Sequence, residues 1–332
     1  MKCMRKLLYL VLVCLVGVGM ATSTQALTVS PARVEITGDP GTVLHSEIEL
    51  FNEQEETRTF FISFENFEPS GDSGAPHFIG AQDGLATWLQ SQSEVNLESG
   101  TRAIVPFSIT IPQTAEPGGY FATVFFGSQP PKGTAGGEVT IGGKIGVLIL
   151  LRVSGEIAEG GGLLDFKAKD DQNFFSVLPV TFEYRLNNSG DDRVVPLGEI
   201  KIKNTFRLTS VTLLANENKG SALPGSTRKF SVVWGKESVQ ANTERAKPGF
   251  FEVTKRQWQD FKFGWYTARL DIAWGETNQT ARAVYNFFII PWQLLLIMFA
   301  IASAVWIIGR QILRKYNRLI IARAMRSQSN NE

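Results

Sequence analysis

The chain has 332 residues, with 33 Lys and Arg, 32 Asp and Glu and only two cysteines. Three of the cations lie in residues 1–26 and six in 310–332, so residues 27–309 hold 24 cations against 31 acids, a net charge of −7. That balance excludes a nucleic-acid binder, which needs a basic face. Cys3 and Cys14 both fall in the first 26 residues, which excludes disulfides and cysteine catalysis beyond them.

The chain opens with Met1-Lys2-Cys3-Met4-Arg5-Lys6, an apolar run from Leu7 to Val18, and small and polar residues ending at Thr24-Gln25-Ala26. A basic segment, a short apolar segment and a small-residue boundary predict a secretory signal peptide over 1–26, cleaved after Ala26. The alternative is an uncleaved anchor, for which an apolar run of about 12 residues is short. Cys14 lacks the preceding small residues of a lipid-modified cysteine and is not read as a lipoprotein site.

Period-2 alternation then recurs. Ser46-Ile48-Leu50 alternates with His45-Glu47-Glu49, and Phe60-Ile62-Phe64 with Thr59 and Ser63. Ala103-Val105-Phe107-Ile109-Ile111 and Tyr120-Ala122-Val124-Phe126 follow. Such segments read as half-buried strands. Turn formers separate them at Gly38-Asp39-Pro40-Gly41, at 68–74 and at Glu98-Ser99-Gly100. Ile145 to Leu151 is nearly all apolar, the mark of a strand covered on both faces. These elements predict an antiparallel β-sandwich over 27–155. Glu159-Gly160-Gly161-Gly162 predicts a flexible linker over 156–162.

A second series follows: Val180-Phe182-Tyr184-Leu186, Glu199 to Lys203, Phe230-Val232-Trp234 and Tyr266-Ala268-Leu270-Ile272-Trp274. It predicts a second sandwich over 163–286, with no amphipathic helix longer than about two turns. Phe287 to Gly309 carries no charge and, at 1.5 Å per residue, spans about 34 Å as a helix, enough for a bilayer core of about 30 Å. A buried core helix seldom runs so long without a charge. Trp292 and Trp306 stand where interfacial aromatics belong, and Arg310, Arg314, Lys315 and Arg318 flank the far end. The cation excess in 310–332 predicts a cytoplasmic tail, which places 27–286 on the extracytoplasmic side. Ile312, Leu313, Tyr316, Leu319 and Ile320 alternate with those cations at helical spacing, suiting either a basic amphipathic extension or a plain stop-transfer flank.

Catalytic chemistry finds few candidates. His45 and His77 are the only histidines; no metal-ligand spacing exists and none of the residues marks a cofactor site. Gly71-Asp72-Ser73-Gly74 resembles a serine-protease nucleophile loop, but all four residues are turn formers and no suitable histidine accompanies them. Glycines 133, 136, 137, 142, 143 and 146 lack the Gly-Lys-[Ser/Thr] ending of a phosphate cradle and predict a hairpin. Asp170-Asp171 and Asp191-Asp192 could touch calcium, though paired acids in turns are usually solvated.

This layout resembles that of the WxL-interacting proteins of Gram-positive cell surfaces. Val29-Ser30-Pro31, Ile109-Thr110-Ile111-Pro112 and Pro117-Gly118-Gly119-Tyr120 carry the resemblance in the first domain. Asn188-Ser189-Gly190, Pro196-Leu197-Gly198 and Leu223-Pro224-Gly225-Ser226-Thr227-Arg228 carry it in the second. The resemblance implies two tandem immunoglobulin-like β-sandwiches, with peptidoglycan binding by the first domain and a surface protein as partner of the second. The sequence thus predicts a single-pass, membrane-anchored surface binding or scaffold protein. Two alternatives remain: an extracytoplasmic subunit of a membrane complex, and a glycan-active enzyme using two carboxylates.

Overall fold

A computed structural model of the chain describes residues 27–130, 143–235 and 249–329. The signal peptide expected over 1–26 and glycines 133, 136, 137 and 142 lie outside them. The chain divides into two compact units, Met1–Glu68 with Pro76–Ile157, and Pro69–Ala75 with Ala158–Glu332. Each is a pair of β-sheets enclosing its own apolar core.

The strands of the first series are β1 (Leu27–Ser30), β2 (Arg33–Gly38), β3 (Val43–Asn52), β4 (Arg58–Ser70), β5 (Ala75–Gly80), β6 (Leu89–Ser91), β7 (Glu94–Leu97), β8 (Arg102–Thr110), β9 (Gly118–Gly127) and β10 (Lys144–Val153). A short helix, α1 (Gly84–Trp88), precedes β6. One sheet runs β1-β3-β8-β6 and the other β2-β10-β9-β4-β5, with β7 also on β4. Alternation sets the faces. Ile48, Leu50, Val105, Phe107 and Ile109 point from the first sheet into a shared core with Ala122, Val124, Val147, Ile149 and Leu151 from the second. Each such aliphatic or aromatic side chain contributes about 1.5–3 kcal/mol through burial. The intervening Glu49 faces outward and pairs with Arg102 at 2.7 Å. The apolar run of β10 is central, between β9 and β2, and Leu150 on its outer face is buried too. The chain changes sheet at the cis Ser30–Pro31 bond: β1 lies antiparallel to β3, and β2 parallel to β10.

The second series comprises β11 (Gly161–Ala168), β12 (Phe174–Phe175), β13 (Val180–Asn188), β14 (Leu197–Lys203), β15 (Thr209–Leu214), β16 (Ser226–Trp234), α2 (Phe250–Gln259), β17 (Gly264–Trp274), β18 (Gln279–Ile289) and α3 (Trp292–Ser329). Its sheets are β11-β13-β16 and β12-β18-β17-β14-β15. The plan of the first sandwich recurs: β13 pairs with β16 as β3 does with β8, and β12 runs parallel to β18 as β2 does to β10. Phe182, Tyr184, Leu186, Ile200, Ile202, Leu270 and Phe287 fill the core.

Three expectations need correction. Gly161 and Gly162, expected in a flexible linker, open β11. Gly161 pairs with Asn188 at φ 137°, and a Cβ there would meet the Asn187 carbonyl oxygen at 2.2 Å, so this glycine permits close strand approach rather than hinging. Phe287 belongs to β18 and is fully buried; the apolar helix starts at Trp292. Finally, α2 is a helix of 10 residues where none that long was expected.

Candidate functional site

The segment Trp292–Arg318 of α3 is 27 residues long and contains an 18-residue stretch of mean hydropathy 2.1, long and apolar enough to cross a membrane. Its apolar side chains point outward: Leu296, Met298, Phe299, Ile301, Val305 and Ile308 are all exposed. A surface so apolar needs a partner as apolar as itself, and a lipid bilayer supplies one. The sequence-predicted interface residues lie along this one helix. Trp292 and Trp306 are both exposed, about 21 Å apart along the axis. The Arg310 guanidinium sits over the Trp306 ring at 5.5 Å, a cation–π contact. Arg314, Lys315 and Arg318 follow on later turns, all exposed.

Only Ile290 and Pro291 separate β18 from α3. The Ile290 N–H donates to the Phe175 carbonyl at 2.8 Å, which ties the connection to β12. The first N–H groups of a helix have no partner within it, and proline before α3 offers no capping side chain. The answer comes from α2. Gln257 is buried, and its Oε1 accepts the Leu294 N–H at 2.9 Å. Its Nε2 donates to the Ser176 carbonyl at 3.0 Å and to Oε1 of Gln293. Gln293, a polar side chain in the first turn of an apolar helix, is thereby buried and satisfied. Phe250, two turns earlier on the same face of α2, packs edge-on against Trp292 with ring centroids 6.1 Å apart. Helix α2 is thus a bracket that binds the root of α3 to its sandwich.

Sequence reasoning missed Gln257. The signal was the helical spacing of Phe250, Val253 and Gln257 after Pro248-Gly249, obscured because the inward-facing anchor is polar while Phe251 and Trp258 face out.

The remaining sequence candidates disperse. His45 and His77 are exposed on β3 and β5. Gly71 to Gly74 is a turn, in which Ser73 Oγ accepts the Ala75 N–H and donates to the Ser70 carbonyl, both at 3.2 Å. Asp170 and Asp171 have φ of 58° and 54° in a tight turn, and Asp192 Oδ1 accepts the Arg193 N–H at 2.7 Å. Among the described residues no three His, Cys, Asp or Glu converge as metal ligands. Carboxylates on the strand surfaces face cations rather than each other: Glu65 pairs with Lys144 at 2.6 Å, and Asp271 with Arg269 and Arg282 at 2.9 and 2.8 Å.

No protein-family model and no curated protein matches the chain. Among solved structures, the class 5 fimbriae chaperone CfaA is similar at 12% identity over 78% of this chain and 99% of that one, with a TM-score of 0.36. The chaperone–tip subunit complex CsuC–CsuE of the Csu pili of Acinetobacter baumannii is similar at 10% identity, over 62% of this chain and 90% of that one, with a TM-score of 0.34. A family 123 glycoside hydrolase from Clostridium perfringens matches at 11% identity over 40% of this chain and 27% of its own, with a TM-score of 0.27. Likeness at this level assigns no activity, and the sandwich architecture rests on the strand pairings themselves.

Proposed function

We propose that this chain is a membrane-anchored surface protein that works by binding, as a scaffold or adhesion module, rather than by catalysis. The observation that carries this reading is the continuity between the second sandwich and α3: the strand enters the helix after two residues, and Gln257 caps it. A binding module is thereby held against a bilayer. The tail cations Arg310, Arg314, Lys315 and Arg318 support a cytoplasmic C-terminus with the sandwiches outside. The resemblance to WxL-interacting proteins supplies the ligand classes, a cell-wall polymer for the first sandwich and a surface protein for the second.

The test is co-sedimentation of the detergent-solubilised full-length protein with purified peptidoglycan sacculi, with a membrane protein lacking sandwiches as control. Retention on the sacculi above the control is the expected result. Recovery wholly in the supernatant removes the wall polymer as ligand.

A further inference from the structure

We propose that the end of the second sandwich beside α3 is itself a membrane-binding face, with Phe206, Phe251, Trp258, Phe261, Phe263 and Trp265 seated in the headgroup–acyl boundary of the adjoining leaflet. The proposal rests on the reading of α3 as a membrane span. Large apolar side chains so exposed are unusual for a folded domain: Phe206 is 81%, Phe251 80% and Trp258 70% exposed. They occupy one end of the unit. Trp265 pairs with Phe288 next to the exit of β18, Phe261 and Phe263 lie between α2 and β17, and α2 is bonded to the first turn of α3. The turn bearing Phe206 is tied to the same end, because Thr205 Oγ1 accepts the Trp265 N–H at 3.0 Å and donates to its carbonyl at 3.1 Å.

Depth decides what covers this face. The first charge on the far side of α3 is Arg310. A hydrocarbon core of about 30 Å takes about 20 helical residues, which puts its near edge at Ile290 to Trp292. Gln257 bonds to the residues one and two positions further on, so α2 lies at that edge and not above it. Its outward face carries Phe251, Lys255 and Trp258 at i, i+4 and i+7. Lys262 stands between Phe261 and Phe263, and Arg207 follows Phe206. Aromatic rings with interleaved cations are the chemistry of the bilayer interface, where the ring meets acyl chain and the cation meets phosphate. The scaffold is fixed rather than collapsible: Asn204 Oδ1 accepts the N–H groups of Phe206 and Leu208, both at 3.0 Å, which holds the Phe206 tip outward.

The full-length protein, with Cys3→Ser and Cys14→Ser, is reconstituted into vesicles of phosphatidylcholine and phosphatidylglycerol. An environment-sensitive fluorophore is attached in turn at Phe206→Cys, Phe251→Cys, Trp258→Cys, Phe299→Cys and Leu197→Cys. Phe299 reports on the span, and Leu197, exposed at the opposite end of β14, reports on water. Probes at 206, 251 and 258 are expected to be quenched severalfold more by nitroxide-bearing lipid than by aqueous iodide, and the probe at 197 the reverse. The proposal is overturned if the 299 probe is lipid-quenched while those at 206, 251 and 258 answer to iodide like 197. It is equally overturned if those three are shielded from both quenchers, as a protein partner or second copy would shield them. Iodide access at 299 without lipid quenching instead removes the membrane span, and the proposal with it.

Discussion

Two asparagines do the same work in the two sandwiches. Asn52 and Asn188 are each fully buried at the end of the second long strand. Asn52 Nδ2 donates to the carbonyls of Glu56 at 3.0 Å and Leu97 at 3.2 Å, and its Oδ1 accepts the Gln54 N–H at 3.1 Å. Asn188 Nδ2 donates to Asp192 at 2.8 Å and Ala222 at 2.9 Å, and its Oδ1 accepts the Gly190 N–H at 2.9 Å. Each staples the turn that follows its strand to a distant backbone carbonyl, Leu97 at the end of β7 for Asn52 and Ala222 ahead of β16 for Asn188, satisfying groups that water cannot reach. Asn52→Ala and Asn188→Ala each strand buried partners at a cost of about 1–3 kcal/mol per group. A fall in the urea midpoint by tryptophan fluorescence is expected for both, and an unchanged midpoint would assign the corner's stability elsewhere. Tyr184 makes a second residue-scale case. Burial holds its phenol above the usual value of 10.0, and its OH donates to the Ala215 carbonyl at 3.1 Å. Because the folded pKa is raised, the unfolded chain ionises first, and stability is full below pH 10 and lost as pH climbs above it. Tyr184→Phe is expected to remove that part of the alkaline loss, at about 1 kcal/mol near neutral pH for the lost hydrogen bond. An unaltered high-pH limb in the urea midpoints would refute the assignment.

At the scale of elements, the bracket α2 is the part most open to test. Gln257→Leu keeps the volume but withdraws the cap from Leu294 and the partners from Gln293 and Ser176. The expected cost is about 1–3 kcal/mol per unsatisfied buried group, read as faster proteolysis between α2 and β17 in detergent. Digestion at the wild-type rate would show that Phe250 and Trp292 suffice. What the sequence revealed follows from what each element buries. Ile48 and Leu50, or Leu270 and Ile272, alternate because one sheet face is dry, so the strands were legible. Helix α2 was not, since its buried contact is a glutamine while Phe251 and Trp258 face outward, which inverts the usual stripe. Gly161 misled for a related reason: composition cannot separate a glycine needed for flexibility from one needed for close approach. The apolar residues of α3 were legible as a run long enough to cross a bilayer, whatever the fold. The capping partner of α3 was not, because only tertiary structure brings Gln257 to Leu294.

For the whole molecule, the proposed orientation makes a direct prediction. Protease added to intact cells is expected to digest the portion before α3 and spare a fragment bearing the cationic tail. Loss of a tag at the C-terminus with survival of the sandwiches would reverse the assignment. The junction has a mechanical consequence of its own. Pro291 has a fixed φ, and Ile290 is pinned by its hydrogen bond to Phe175, so neither can act as a swivel. A helix longer than its bilayer is thick leans to hide the excess. With α3 across a bilayer as proposed, any lean of the helix is carried into the second sandwich as a change of attitude, so the thickness of the lipid sheet sets the angle at which that domain meets its surroundings.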